Sequence, residues 1–281
     1  MADISISARV RTGLLALQQI NDQTTLAQQR LTTGRKVNSA VDNPVNYFTS
    51  AALNDRAGDL GALLDGIGNA QKVVEAADKG IQSITKLVQT AKGLASAARQ
   101  LASTDTAGRL ALSVQYNEIQ SQITSLAEDS GFNGLNLIKA TPDNLTVRFS
   151  ERATAAAPAP KNDLTVTGVA LGAAGLSLVA ATGSWATNGN VDTDIGLLDA
   201  ALGKLRATAS TLGANGAIIT SRQDFTKQLM SVLKVGADNL VLADQNEEAA
   251  NLLALQTRQQ LAQTGMSLAN QADQSVLRLF N

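Results

Sequence analysis

Apolar residues follow a seven-residue repeat for about six heptads in the first half of the chain. Alternating steps of three and four residues place all members of the repeat on one face of an α-helix. Because this period is shorter than that of a free helix, it favours a left-handed supercoil. One helix of this length extends roughly 65 Å, so we expect a rod rather than a globular core. The repeat consists of Leu60, Leu63, Ile67, Ala70, Val74, Ala77, Ile81, Ile84, Val88, Ala91, Ala95, Ala98 and Ala102.

Similar spacing predicts further helices over residues 112–126 and 195–219, and in one arm at each end of the chain. Such an arm is marginally stable alone because helix nucleation is costly, so each arm needs a partner in its own chain or in a neighbour. The stripe of the first arm consists of Ile6, Val10, Gly13, Leu17, Ile20, Thr24, Ala27 and Leu31. The stripe of the last arm consists of Leu253, Leu261, Gly265, Leu268, Ala272, Val276 and Leu279.

The middle of the chain, residues 140–192, has a different character. It contains three of the four prolines and the single tryptophan, Trp185. Apolar and polar residues alternate over 145–150, and residues 163–171 are rich in Thr and Val, which predicts short strands or a hairpin. We therefore predict a mainly α fold, a long coiled-coil-like helical rod with a small β-hairpin region.

A structured linker separates the first arm from the long repeat. Gly34 is placed to end the first helix, and Asp42 or Asn43 can cap a helix whose first turn holds Pro44. The missing N–H of Pro44 costs nothing at that position. We therefore expect two separate helices on either side of residues 34–43.

Composition excludes several classes of function. The chain has no His and no Cys, so it lacks the side chains of a Ser–His–Asp triad, of a Cys nucleophile and of thiolate or imidazole zinc sites. With a net charge of -1, the chain has no excess of positive charge to attract the phosphate backbone of a nucleic acid, so we expect no nucleic-acid partner. Neither a cleavable signal peptide nor an apolar run of transmembrane length is visible. We expect no enzymatic activity, no cofactor, no bound metal and no membrane insertion.

Residues 188–194 carry side-chain oxygens at alternate positions, a pattern that suggests calcium binding. A calcium loop of the EF-hand type needs Gly where Thr193 stands and Glu where Asp199 stands. Capping of a helix that starts at Ile195 by the side chain of Asp194 is the simpler interpretation.

Three segments of the chain carry distinctive motifs. Residues 31–44 (LTTGRKVNSAVDNP) resemble the linker after the first helix of bacterial flagellins, and residues 131–137 (GFNGLNL) resemble the turn after the second core helix of that family. Residues 247–261 (EEAANLLALQTRQQL), continued by 267–280, are similar to the terminal helix. The short middle resembles that of compact flagellins without large outer domains.

The resemblance implies a division into six segments. Residues 1–33 would form the N-terminal helix of an inner coiled-coil domain, where it pairs with the C-terminal helix of residues 242–281. Residues 34–43 would form the linker. Residues 44–139 and 193–241 would be the two halves of a helical core domain, and residues 140–192 a β-hairpin and irregular surface segment between them.

The function implied by the resemblance is that of a structural subunit of the flagellar filament, which gives swimming motility. Such a subunit is exported unfolded without a cleaved signal peptide and lies outside the cell. Its implied partners are further copies of itself, hook–filament junction proteins, the filament cap, the type III flagellar export apparatus and an export chaperone. Two alternatives are a hook–filament junction protein, and a surface adhesin that uses the central hairpin and Trp185 to bind carbohydrate.

Two groups of residues carry the predicted assembly function. The expected subunit interface on the terminal helices consists of Ile6, Val10, Leu17, Ile20, Leu31, Leu253, Leu261, Leu268, Ala272 and Leu279. The expected linker residues are Gly34, Arg35, Asn38, Asp42 and Pro44.

Overall fold

The computed structural model describes residues 8–151 and 162–279, apart from the side chains of residues 8, 9, 273 and 276–279. The described elements confirm the predicted mainly α fold with a small β-hairpin. In chain order they are α1 (Ala8–Thr33), α2 (Pro44–Gln100), α3 (Thr106–Asp129), β1 (Leu145–Arg148), β2 (Asp163–Val166), a short turn of 3₁₀ type (Thr182–Trp185), α4 (Asn188–Val241) and α5 (Gln245–Leu279).

The chain divides into two compact units. The first contains the described residues up to Arg56 together with those from Val232 onward, so it is built from both ends of the chain. The second runs from Ala57 to Ser231. The boundaries therefore fall inside α2 and α4, whereas the sequence analysis placed segment boundaries at helix ends.

The second unit is organised around the apolar repeat of α2. Its positions from Ile67 to Ala98 are buried, and they belong to one core with residues of α3 and α4, including Ile123 and Leu205. Ion pairs connect the flanks of α2 and α4, from Lys92 to Asp199 and from Arg99 to Asp192. The small side chains of the repeat allow close approach over many turns, which favours long helices over a thick core.

The repeat ends earlier than its spacing predicted, because Ala102 is exposed beyond the end of α2 at Gln100. The chain leaves the helix here to begin α3. Asp105 caps α3 by accepting a hydrogen bond from the backbone N–H of Gly108, 3.0 Å away. Arg109, at the start of α3, donates to the carbonyl of Leu101. Capping and this buried guanidinium thus override the continued apolar spacing.

A two-stranded antiparallel sheet lies against the same core. Leu145 pairs with Val166 and Arg148 with Asp163, and Leu145 and Val147 turn towards the protein interior. Each strand contains four residues. Strand β2 is therefore shorter than the Thr- and Val-rich stretch of residues 163–171 predicts. Leu176 and Leu178 are buried without forming a strand, since Ser177 between them has a φ of 59°.

A buried polar cluster joins the start of α4 to α3 and corrects two predictions. Asp194 does not cap a helix: α4 already begins at Asn188, and the Asp194 carboxylate accepts hydrogen bonds from Thr182 and from the indole N–H of Trp185. Trp185 is fully buried, and the centroid of its ring lies 5.0 Å from that of Tyr116. The ring therefore offers no face to a carbohydrate, which removes the aromatic basis of the adhesin alternative.

No helix in the described ranges combines the length and the apolar character required to cross a bilayer.

Gly80 lets neighbouring residues pack very close to the backbone of α2. A Cβ built on Gly80 lies 2.6 Å from Cβ of Ser130 and 2.7 Å from Cδ1 of Ile138, whereas one built on Gly93 meets no atom within 4 Å. We expect Gly80→Ala to lower the free energy of unfolding by about 2 kcal/mol through overpacking. Gly93→Ala, the matched control on the same helix, should raise it by about 0.5–1 kcal/mol. Urea unfolding followed by circular dichroism measures both, and equal effects would contradict the packing argument.

Burial, together with the charge of Asp194, raises the pKa of Tyr116 to about 12 from an ordinary value of 10.0. Because the folded state holds this proton more tightly, the resulting stability is complete below pH 10 and is lost as the pH rises towards 12. We expect Tyr116→Phe to remove this alkaline loss. The measurement is urea unfolding below pH 10 and again near pH 11, with wild type and variant compared. An identical loss in both would show that another group is responsible.

Candidate assembly interface

The linker after α1 is hydrogen-bonded to the connection between α4 and α5. The backbone N–H groups of Lys36 and Val37 donate to the carbonyl of Val241, at 2.7 and 3.3 Å. In return, the N–H of Ala243 donates to the carbonyl of Gly34 at 3.0 Å. Gly34 has a φ of 67°, which L-residues rarely adopt, and it ends α1 as the sequence indicated. These bonds hold the two connections side by side, so the end of α1 and the start of α5 are fixed together.

Asp42 organises the rest of the linker. Its Oδ2 accepts hydrogen bonds from the backbone N–H groups of Asn38 and Ser39, both at 2.9 Å. These backbone donors hold the pKa of the Asp42 carboxyl below its ordinary value. Asn38 Nδ2 in turn donates to the carbonyl of Arg35. All of these predicted linker residues therefore belong to one local hydrogen-bonded turn.

Helix α2 begins directly after this turn. Oδ1 of Asn43 accepts a hydrogen bond from the N–H of Asn46 at 3.0 Å, so Asn43 rather than Asp42 is the capping residue. Pro44 is the first residue of the helix, where its missing N–H leaves no donor unpaired.

The terminal helices α1 and α5 pack against each other. On each helix a stripe with steps of three and four residues is partly shielded from solvent, as in a two-stranded coiled coil. The α1 stripe is the predicted one, and its described members are Val10, Gly13, Leu17, Ile20, Thr24, Ala27 and Leu31. The α5 stripe consists of Leu252, Leu255, Gln259, Ala262, Met266 and Ala269.

Specific contacts set the register of this pair. A Cβ built on Gly13 lies 3.7 Å from Sδ of Met266, so the glycine lets the thioether approach α1 closely. Nε2 of Gln259 donates to Oδ1 of Asn21 at 2.7 Å. Nearer the linker, Nη1 of Arg30 donates to Oε1 of Glu248 at 2.9 Å, in an ion pair whose carboxylate side chain is only 11% exposed.

The interface residues predicted on α1 and α5 have different environments. Val10, Leu17, Ile20 and Leu31 lie on the face of α1 that is partly shielded, whereas the α5 residues lie on the outer face of their helix. Leu253, Leu261 and Leu268 are 61–68% exposed, and Ala272 is exposed as well. Ile6 lies outside the described residues, and so does the side chain of Leu279.

Sequence reasoning missed the inner stripe of α5. The signal was present, because residues 252, 255, 259, 262, 266 and 269 follow the three-and-four spacing without interruption. The prediction instead used the leucines at 253, 261 and 268, which lie on the outer face of the helix. The structure therefore gives α5 two apolar faces, one towards α1 and one towards solvent.

Comparisons with known proteins agree with the resemblance of the motifs. Residues 8–142 match the family model of the bacterial flagellin N-terminal helical region, and residues 195–280 match that of the C-terminal helical region. Flagellin FljM of Caulobacter vibrioides is 34% identical and covers 95% of this chain and 96% of its own length. A flagellin of Brucella melitensis is 29% identical, covering 100% of this chain and 99% of its own. A crystal structure of Bacillus cereus flagellin gives a TM-score of 0.45 at 19% identity, covering 56% of this chain and 86% of that one.

The partly buried ion pair provides a test of the helix pairing. Glu248→Gln keeps the size of the side chain but removes its charge, so Arg30 loses a charge-assisted hydrogen bond. We expect this to weaken the α1–α5 pair by about 1–2 kcal/mol. Hydrogen exchange of the α1 and α5 amides should accelerate by about tenfold. Glu247→Gln, at the exposed neighbouring position, is the control, and equal exchange in the two variants would contradict the role of the pair.

Proposed function

This chain belongs to the bacterial flagellin family, whose members are structural subunits of the flagellar filament, and we propose that it polymerises through its terminal helices into an extracellular filament for swimming motility. The observation that carries this proposal is the second apolar face of α5. Leu253, Leu261 and Leu268 are exposed although α5 already has a partner in α1.

The spacing of these leucines suits a helical partner. Steps of eight and seven residues return to the same side of a helix after two turns, which is the pattern of a packing seam. On α1, Leu15 and Leu26 are separated by eleven residues, or about three turns, and both are exposed. A contiguous exposed apolar face, rather than scattered apolar residues, is typical of an interaction surface. Helices of neighbouring copies would cover them.

In this proposal the residues predicted as subunit interface have two distinct roles. Leu253, Leu261, Leu268 and Ala272 contact neighbouring subunits directly. Val10, Leu17, Ile20 and Leu31 build the pair with the inner stripe of α5, and so orient the outer leucines. Both groups are needed for assembly, but only the first lies at the contact between copies.

The organisation of the first unit supports folding after export. Its pairing of α1 with α5 joins residues more than 200 positions apart, as in the ion pair of Arg30 with Glu248. This unit cannot be completed until the last helix is available. A chain with that property suits passage in an unfolded state through a type III apparatus, with an export chaperone that holds the ends and a filament cap under which they fold. Hook–filament junction proteins would contact the first subunits of the polymer.

Seeded polymerisation of the full-length chain tests the proposal. Purified subunits are mixed with short filament seeds, and elongation is measured by sedimentation and negative-stain electron microscopy. We expect Leu261→Ser to slow elongation by more than about tenfold, because one outer contact is lost at every subunit added. The matched control is Gln263→Ser, which changes an exposed polar residue on the same helix.

The outcomes separate the alternatives. Long filaments from wild type and the control, with few from Leu261→Ser, support the proposal. Wild-type protein that stops at short rings identifies a junction protein instead. If Leu261→Ser elongates as fast as the wild type, the outer face of α5 is not the contact.

A further inference from the structure

Asparagine followed by glycine occurs three times in the chain, at Asn133–Gly134, Asn188–Gly189 and Asn215–Gly216. Asparagine is a chemically labile residue. It loses its side-chain amide most readily before glycine, which has no Cβ to shield its backbone nitrogen from the neighbouring carboxamide. The structure places the three pairs in different surroundings, and these surroundings separate one reactive pair from two protected ones.

The first pair forms the two central residues of a tight turn. Reciprocal backbone hydrogen bonds join Phe132 and Leu135, at 2.9 and 3.0 Å. With these bonds, the φ values of 51° at Asn133 and 80° at Gly134 define a type I′ turn. Both central residues are exposed, and a Cβ built on Gly134 meets no atom within 4 Å. Within the ranges that the structure describes, neither the Asn133 carboxamide nor the Gly134 N–H forms a hydrogen bond.

The turn slows a reaction between these two residues without preventing it. In a type I′ turn, ψ of the first central residue is about 30°. The nitrogen of Gly134 is therefore turned away from the Asn133 side chain, and the turn must open before the two groups can meet. Because the turn lies at the surface and is closed by two hydrogen bonds, this opening is a local fluctuation that leaves α2 and α3 folded.

The other two pairs are held in place by the second unit. Gly216 lies in the middle of α4, where its N–H belongs to the hydrogen-bond ladder of the helix. A Cβ built on Gly216 lies 3.7 Å from Cγ1 of Val74, so this part of α4 also packs against α2. In the remaining pair, Oδ1 of Asn188 accepts a hydrogen bond from the buried guanidinium of Arg109. Reaction at either pair therefore requires the loss of helix packing or of a hydrogen bond to a buried charge.

We infer that Asn133 is a site of spontaneous deamidation in the folded subunit, whereas Asn188 and Asn215 are protected. The nitrogen of Gly134 forms a bond to Cγ of Asn133, and the side-chain nitrogen leaves as ammonia with the proton of the Gly134 N–H. Water then opens the resulting succinimide ring at either of its carbonyl groups. The products are aspartate and isoaspartate, and in isoaspartate the main chain continues through the former side chain.

Isoaspartate would lengthen a turn that is connected to the end of α3. The additional carbon atom in the main chain prevents Phe132 and Leu135 from forming both reciprocal bonds. Directly after Leu135, Asn136 donates through Nδ2 to the carbonyls of Ala127 and Glu128, both at 2.8 Å. Carbonyls at the end of a helix have no partner within the helix, so displacement of Asn136 leaves these two unpaired. Isoaspartate at residue 133 should therefore destabilise the end of α3 and limit the lifetime of the subunit.

Incubation of the purified full-length chain in mildly alkaline buffer tests the assignment. Mass spectrometry of tryptic peptides measures the conversion of each asparagine, and labelling by a protein isoaspartyl methyltransferase measures isoaspartate. In the folded chain we expect Asn133 to be converted at least about tenfold faster than Asn188 or Asn215, since only its turn opens locally. In urea the structural differences are lost, so the three rates should become similar. Asn133→Gly, which suits the positive φ and has no carboxamide, should lose most of the isoaspartate label.

A second comparison tests the effect on α3. Asn133→Asp introduces the charge of the aspartate product without lengthening the main chain, so it is the matched control. Hydrogen exchange at the end of α3 should be about tenfold faster in the isolated isoaspartate form than in this control, because the end of the helix opens more often.

Each result decides the question. Faster conversion of Asn133 in the folded chain, with similar rates for all three pairs in urea, supports the assignment. Equal rates in the folded chain, or conversion of Asn133 only in urea, would overturn it. An isoaspartate form that exchanges like Asn133→Asp would overturn the effect on α3. None of these measurements involves filament growth, so deamidation and the proposed polymerisation are tested separately.

Discussion

Close packing of small apolar side chains along one face of α2 is the contact on which the second unit depends. Ala77, Ala91, Ala95 and Ala98 are fully buried there, and none of them fills much space. Neighbouring elements must therefore approach α2 closely over many turns. At Gly80 the contact is so close that Ser130 and Ile138 occupy the space that a Cβ would need. A chain with 3% aromatic residues builds its core by length of contact rather than by bulk.

The first unit follows a different principle, because it is made from both ends of the chain. Hydrogen bonds between the two helix connections, centred on Gly34 and Val241, place α1 and α5 side by side. Their pairing consumes one face of each helix. The leucines on the outer face of α5, such as Leu261, stay exposed in the described part of the chain. In the proposed filament, neighbouring copies would cover these leucines.

The sequence predicted the helices well and the choice between helix faces less well. Heptad spacing identifies an apolar helix face that can pack against another helix. Because α5 has two such faces, periodicity alone could not show which of them contacts α1. Specific contacts made that choice, including the approach of Met266 to Gly13 and the ion pair of Arg30 with Glu248. The start of α4 was misplaced for a similar reason. Asp194 is a residue type that often caps helices, but its carboxylate is buried and accepts a hydrogen bond from the indole N–H of Trp185.

The sequence by itself determined the helical class, the hairpin in the middle and the linker from Gly34 to Pro44, because spacing, glycine and proline act locally on the backbone. The lack of His and Cys also excluded a Ser–His–Asp triad, a Cys nucleophile and zinc sites with thiolate or imidazole ligands. Only the tertiary structure decided that Trp185 is buried, and that the outer leucines of α5 face solvent. Burial depends on which surfaces meet between distant parts of the chain, and a pattern along one helix does not identify the surface that it will contact.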